Sequence, residues 1–378
     1  MSEEPFLRRT TQLLLKRQAV KRQGLAVILI MLTVAAGIGI VFVTSAAPAN
    51  RRASGELESN GAMGINLLAV GDVSLGLDVA PVLDQKGYDY PWSAEKQAIS
   101  QADIALCNLE SALTTRGAPH PSQTSFHQRG DPAAVTAMRD AGIDLVVLAN
   151  DHVMDYGDEG LADTISALDR AGIAHCGAGF NRAQAHSPAV MEIAGARVAF
   201  LAFSSYVPDG YAAEEDRPGI AALTDVSALE EEIEKARAVS DYVVVYFHWG
   251  DTGVESPSLA QSELAHAAAR AGACVVLGAH PHVLQGMERY GDSLIAYSLG
   301  NFIFNPPKEE GRRSGLLKVT LAHGRLVSAD FEPAYITYCQ PFPARGSKGE
   351  DILARMAALS AQLGTELDLG GEVGSVKF

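Results

Sequence analysis

Asp72, Glu110, Asn150, His152, His248, His280 and His282 are the residues of this chain whose types suit metal-assisted chemistry, and each stands where an apolar run stops. The runs INLLAVGD, IALCNLE and CVVLGAHPH end in carboxylate, amide and imidazole groups. IDLVVLA (Ile143–Ala149) stops at Asn150, Asp151 and His152, and Tyr242–Phe247 stops at His248. In open α/β sheets the carboxyl ends of strands are where ligands bind. A single histidine there is more often a hydrogen-bonded structural residue, and an aspartate after glycine more often a turn residue. Five such ends in one chain make a metal site the better reading. Carboxylate, amide oxygen and imidazole together suit manganese, iron or zinc, as one ion or two, and fit copper(I) or an iron–sulfur cluster poorly. His280 and His282, two residues apart, can serve one site if the chain turns at Pro281.

The elements that must position these groups alternate along the chain. Strands are expected at Ile65–Val70, Ile104–Asn108, Ile143–Ala149, near Ile173, and at Ala189–Ile193, Val198–Phe203, Tyr242–Phe247 and Cys274–Leu277. Hairpin-like strands are expected at Ser293–Ser298, Leu316–Ala322 and Leu326–Tyr335. Asp131-Pro132 reads as a cap with proline at the first helical position. Further helices are expected over 159–171, 226–238, 258–271 and 351–363, with Asp155 and Tyr156 capping the first of them. The pattern predicts a layered α/β domain with mixed sheets. The long polar connection Ser111–Gly130 carries Arg129, which either meets an anionic substrate group or is a solvated loop charge. Asn301, in the LGNF turn, either orients backbone near the site or closes the turn. The four cysteines lack metal-type spacing and read as small buried hydrophobes.

Residues 25–47 are uncharged and mostly apolar, and about 20 such residues cross a bilayer as one helix. Six basic residues precede them against Glu3 and Glu4, which predicts a cytoplasmic N-terminus, a single-pass anchor in the cell membrane and an extracytoplasmic body. Ala47-Pro48-Ala49 loosely fits a signal-peptide cleavage site, but the run is too long for an ordinary signal, which favours an uncleaved anchor. The net charge is -15, and the +4 of residues 1–24 leaves -19 on the rest. So acidic a body excludes nucleic acid as a partner. The organisation expected is a basic stretch 1–24, the anchor 25–47, a flexible linker 48–63, a catalytic or binding domain 64–340, and a C-terminal helix and tail 341–378.

GDVSLG (Gly71–Gly76), NLESALT (Asn108–Thr114), LANDHVMDYG (Leu148–Gly157), HWG (His248–Gly250), GAHPHVLQ (Gly278–Gln285) and YSLGNFIF (Tyr297–Phe304) occur in that order. Together they resemble the bacterial capsule-synthesis CapA family, over about residues 65–340. The resemblance implies a four-layer α/β/β/α sandwich of the metallophosphoesterase type and a role in synthesis, export or tethering of poly-γ-glutamate. The capsule polymer, its synthesis and export proteins, and the lipid bilayer would be its partners. It implies Asp72 as a metal ligand, Glu110 as a carboxylate between two metals, and Asn150 as an amide ligand. His248 and His280 would complete one metal site and His282 the other, with His152 contacting substrate or donating a proton to a leaving group. Two departures from the pattern stand out. Ser74 occupies the position of an expected histidine, so one site is a ligand short, and Asp151 replaces an expected asparagine, either orienting His152 or serving the turn. Asn108 is a further polar group at the same strand end. Two other functions stay open: a secreted metal-dependent phosphoesterase, and a non-catalytic assembly protein whose metal organises its loops.

Overall fold

The strands that carry these motifs show no polar face. Ile104–Leu109 and Tyr242–His248 are buried at every position, as strands covered on both sides must be. The computed structural model describes residues 41–42, 64–122, 126–223 and 225–378. Two sheets form the centre. In the 10-stranded sheet, Ile65–Val73, Ile104–Leu109, Leu145–Val147 and Ala174–Cys176 run parallel as neighbours. On the other side of Ile65–Val73 the antiparallel strands Arg313–Ala322 and Arg325–Thr337 continue the sheet. In the 7-stranded sheet, Ala196–Ser204, Tyr242–His248, Val275–Ala279 and Ser293–Ala296 are parallel neighbours.

Successive residues of a strand point to opposite faces, and here they enter different cores. Leu67, Leu106 and Val147 of one sheet pack with Phe200, Val244 and Leu277 of the other. Leu68 and Val146 face outward against Met138, Leu161 and Leu168 of the helices Val135–Ala141 and Gly157–Ala171. Val245 and Val276 face the opposite way, against Leu229, Ile233 and Ala268 of Val226–Arg237 and Leu259–Ala271. The layers therefore run helix, sheet, sheet, helix. Each fully buried aliphatic side chain contributes about 1.5–3 kcal/mol to holding them together.

The helix signals act as the sequence suggests. Ser258 and Gln261 form a reciprocal capping box at the start of Leu259–Ala271, and Asp131 accepts from the Ala133 amide. The residues Pro132–Ala134 after it form one 3₁₀ turn before the α-helix begins at Val135. The strand expected over 143–149 is shorter, Leu145–Val147, because Asn150 N bonds back to Leu148 O and turns the chain out of the sheet. The glycine-rich tail after the helix Gly346–Ala361 is a strand pair, Asp368–Gly370 and Val373–Lys377, joined to Arg325–Thr337.

The expected anchor 25–47 and linker 48–63 lie outside the described residues, apart from Val41–Phe42, which pair in parallel with Ala189–Val190. Among the described residues no helix is long and apolar enough to cross a membrane.

Candidate metal centre

The two sheets contribute different chemistry to one place. Asp72 ends Ile65–Val73, Glu110 follows Ile104–Leu109, and Asp151 follows Leu145–Val147, so the carboxylates come from the larger sheet. His248 ends Tyr242–His248, and His280 and His282 follow Val275–Ala279, so these imidazoles come from the smaller one. Asp72, Glu110, Asp151, His248 and His280 are all buried. The chain leaving Ser293–Ala296 of the smaller sheet makes this possible by pairing as Asn301–Ile303 with Ile65–Val73 of the larger: a side chain at Gly71 would lie 1.8 Å from Gly300 O, and Asp72 N donates to that same carbonyl at 2.9 Å.

Ligand atoms of Asp151, His248 and His280 lie within 4.8 Å of one another, as do those of Asp72, Glu110 and His248, and those of Glu110, Asp151 and His152. Asp151 Oδ1 is 2.9 Å from His248 Nε2. His282 closes the other side, with Nδ1 3.2 Å from Asp72 Oδ2 and Nε2 3.4 Å from Glu110 Oε1. The turn expected at Pro281 is present, and it is strained: His280 has φ 90° and His282 φ 55°, left-handed values that cost non-glycine residues of order 1 kcal/mol or more. Asn301 holds this turn. Its Nδ2 donates to His282 O and Gly311 O, and its Oδ1 lies 2.9 Å from His282 Nδ1.

Two buried polar atoms in the cluster, Glu110 Oε1 and His280 Nδ1, have no hydrogen-bond partner among the described residues. A buried polar atom without a partner costs about 1–3 kcal/mol, and a cation among these groups removes that cost. The electrostatics agree. Burial, with Asp72 and Asp151 close by, pushes the Glu110 carboxyl well above the usual carboxylate range. Burial and the neighbouring His248 push His280 down to about 3. Burial works against the Asp151 anion, yet His248, His152 and His280 hold its carboxyl below the ordinary value. Three carboxylates with three or four imidazoles are a donor set for a divalent ion.

His152 stands beside the cluster with its Nε2 3.7 Å from Asp151 Oδ2. Its Nδ1 lies 2.7 Å from Asp155 Oδ2. Asp155 is buried and takes two more hydrogen bonds, from Gln128 N at 2.5 Å and from Tyr211 Oη at 2.8 Å. Burial opposes charge on His152, but Asp155 and Asp151 outweigh it and raise its basicity. Asp155 therefore does not cap the following helix as the sequence suggests; the residue before that helix, Tyr156, makes no side-chain cap either.

The amides play a framing part. Asn150 Nδ2 donates to Asn108 Oδ1 and Leu109 O, and its Oδ1 accepts from the His152 and Val153 amides. The geometry thus turns Asp151, rather than Asn150, toward His248 and His280. Asn108 in turn donates to Asp72 Oδ1 at 2.9 Å. Ser74 donates its hydroxyl to Gln128 Oε1. Arg129 stacks on the Tyr156 ring at 3.6 Å and donates to Arg116 O and Gly117 O, so no anionic partner meets it among the described residues. Asp155, Gln128 and Tyr211 are the contributors that sequence reasoning missed. The i, i+3 spacing of His152 and Asp155 was the one available signal.

A mixed α/β protein with acidic and imidazole groups gathered between two sheets is the class that fold and site define. The chain belongs to the family of bacterial capsule synthesis proteins, PGA_cap, which residues 66–306 match. It is 30% identical over 297 residues to the capsule biosynthesis protein CapA of Bacillus anthracis, covering 77% of this chain and 72% of that protein. It is 30% identical over 277 residues to the PGA biosynthesis protein CapA of Bacillus subtilis (strain 168), covering 73% of each. Among solved structures, the NAD nucleotidase of Haemophilus influenzae is similar at TM-score 0.42 and 12% identity, over 79% of this chain and 64% of that one.

Proposed function

We propose that this chain serves poly-γ-glutamate capsule biosynthesis as a membrane-anchored, extracytoplasmic protein working through a divalent metal centre of the metallophosphoesterase type. The names of the two Bacillus relatives support capsule biosynthesis, and that of the Bacillus subtilis relative, a PGA biosynthesis protein, supports the polymer. The uncharged run 25–47 behind a basic N-terminus supports the anchor. The observation that carries an enzymatic reading is the His152–Asp155 pair beside the cluster.

Asp72, Glu110 and His282 would hold one ion, and Asp151, His248 and His280 a second. An ion held there would polarise a phosphoryl or acyl oxygen and stabilise the negative charge building on it. The chain's own residues do the rest. Asp155 already accepts two hydrogen bonds, from Gln128 N and Tyr211 Oη, and accepts a third from His152 Nδ1–H. That fixes the ring and leaves Nε2 on the side of Glu110 and Asp151. From there His152 passes a proton to a leaving oxygen or nitrogen, a step worth about 10²–10⁴-fold in rate.

A second reading has its own observation. Ser74, where the metallophosphoesterase pattern has histidine, is hydrogen-bonded to Gln128, which favours a non-catalytic module whose metal organises loops and binds carboxylates. Complementation separates the two. In a poly-γ-glutamate-producing cell lacking its own copy, wild-type chain restores polymer, whereas His152→Ala and His152→Gln keep their metal and do not. Full polymer with His152→Gln rejects the proton-transfer role and leaves the binding module. Full polymer with Asp72→Ala rejects the metal centre.

A further inference from the structure

Beyond the cluster, one aromatic side chain stands against it without being enclosed. Tyr206 lies two residues past the strand Ala196–Ser204, and its ring stacks on His280 with centroids 4.9 Å apart and planes 22° from parallel. It remains 52% exposed. Exposed single aromatics are ordinary on protein surfaces, but this one is fixed. Ser205 N donates to His248 O at 3.0 Å, and Ser204 Oγ donates to Tyr206 O at 2.6 Å. The backbone on both sides of the ring is thereby tied to Tyr242–His248, which ends in a histidine of the centre, and to the end of its own strand. The ring it covers belongs to the histidine whose buried Nδ1 lacks a hydrogen-bond partner among the described residues.

The rest of the same connection bears Asp209, Glu214, Glu215 and Asp216, and its Arg217 is paired to Glu214 at 2.7 Å. A polyanion cannot be drawn to this wall by charge. What the wall offers is a flat apolar face. Across the His280-Pro281-His282 turn, Gly253 N donates to Pro281 O, and the next residue, Val254, is 44% exposed, so apolar surface borders the turn on that flank as well.

We propose that Tyr206 is an aromatic platform for the polymer beside the metal centre, a positioning residue on which a planar amide and flanking methylenes of a γ-linked glutamate chain lie. The inference rests on the proposed polymer. The γ-linked main chain alternates one flat amide with a methine, which carries the carboxylate to the side, and two methylene groups. An aromatic face suits the amide and methylenes, and a cation held by the ligands proposed above would suit the carboxylate.

The test uses the full chain loaded with manganese and a fluorescent oligo-γ-glutamate, with binding read by anisotropy. Tyr206→Ala weakens binding about three- to tenfold, the range expected for one lost aromatic contact, and Tyr206→Phe restores it. Both variants keep wild-type manganese content and melting temperature. Equal affinity of wild type and Tyr206→Ala overturns the inference, as does equal loss in both variants. Loss of manganese from Tyr206→Ala shows that the ring only supports His280, and overturns it too. Failure of the wild type to bind the oligomer is a different result: it removes the polymer reading itself, and the wall with it.

Discussion

Asp151 Oδ1 and His248 Nε2 meet at 2.9 Å although 97 residues separate them in the chain. One follows a strand of the larger sheet and the other ends a strand of the smaller. Their contact is made where the two sheets' polar ends converge, and it distinguishes Asp151 from its neighbour Asn150. Asp151→Ala is expected to lower metal content measured by plasma mass spectrometry, since removing a group at the ion costs more than the ~10–100-fold typical of groups one step further out. Asn150→Ala is expected to keep the metal and lower the melting temperature, because it releases four hydrogen bonds that shape the turn. The reverse pattern would assign the ligand to Asn150.

Asp155→Asn tests the orientation of His152. An amide at this position can no longer accept from His152, Gln128 N and Tyr211 Oη all at once. We expect loss of most polymer production, within the ~10²–10⁴-fold span of proton-transfer catalysis, at unchanged metal content. Tyr211→Phe removes a single donor and is expected to fall between wild type and Asp155→Asn. Wild-type polymer yield from Asp155→Asn would show that the pair serves folding alone.

Glu95 gives a pH dependence far from the metal groups. It is 4% exposed, its Oε1 has no hydrogen-bond partner among the described residues, and burial together with Glu332 raises its carboxyl from 4.5 to about 7, against the opposing pull of Arg345 and Lys318. The folded state therefore keeps this proton after the unfolded chain has lost it. Stability from this group is fully present below pH 4.5, falls as the pH rises toward 7, and is level above that. The loss amounts to at most ~3 kcal/mol. Glu95→Gln should match wild type in melting temperature at pH 4 and exceed it increasingly up to pH 7. Parallel curves across that range would refute the assignment.

The anchor is checked in cells. The proposed topology puts residues 1–24 in the cytoplasm and the apolar run ahead of Val41 in the bilayer, so protease added to intact protoplasts should digest the body, and the chain should stay with the membrane fraction at high salt. Protection of residues 64–378 until lysis would reverse the orientation.

The strand ends were legible because each buried run halts abruptly: nothing but a functional or turning residue interrupts INLLAV or CVVLGA. The choice between Asn150 and Asp151 was not legible, since adjacent residues in a tight turn point apart and the pattern does not say which faces inward. Asp155 reads as a cap because an aspartate shortly before a helix has the same appearance whether it serves the helix or a histidine three residues earlier. Gln128 and Tyr211 reach Asp155 from connections without any periodicity, so no local pattern could announce them. The terminal strands escaped because Leu369-Gly370-Gly371 reads as loop, and their pairing with Arg325–Thr337 is purely tertiary.

The division of labour between the sheets also sets an order of events. The three acidic groups lie between residues 72 and 151, and the three partner imidazoles between 248 and 282. A growing chain has synthesised every acidic group long before the first of these histidines exists. Until Tyr242–His248 and Val275–Ala279 have docked, the first half is an acidic edge without the three imidazoles that face it. Assembly of the centre is thus a late event, and an ion of the kind proposed would act as a latch that closes only on a finished sandwich.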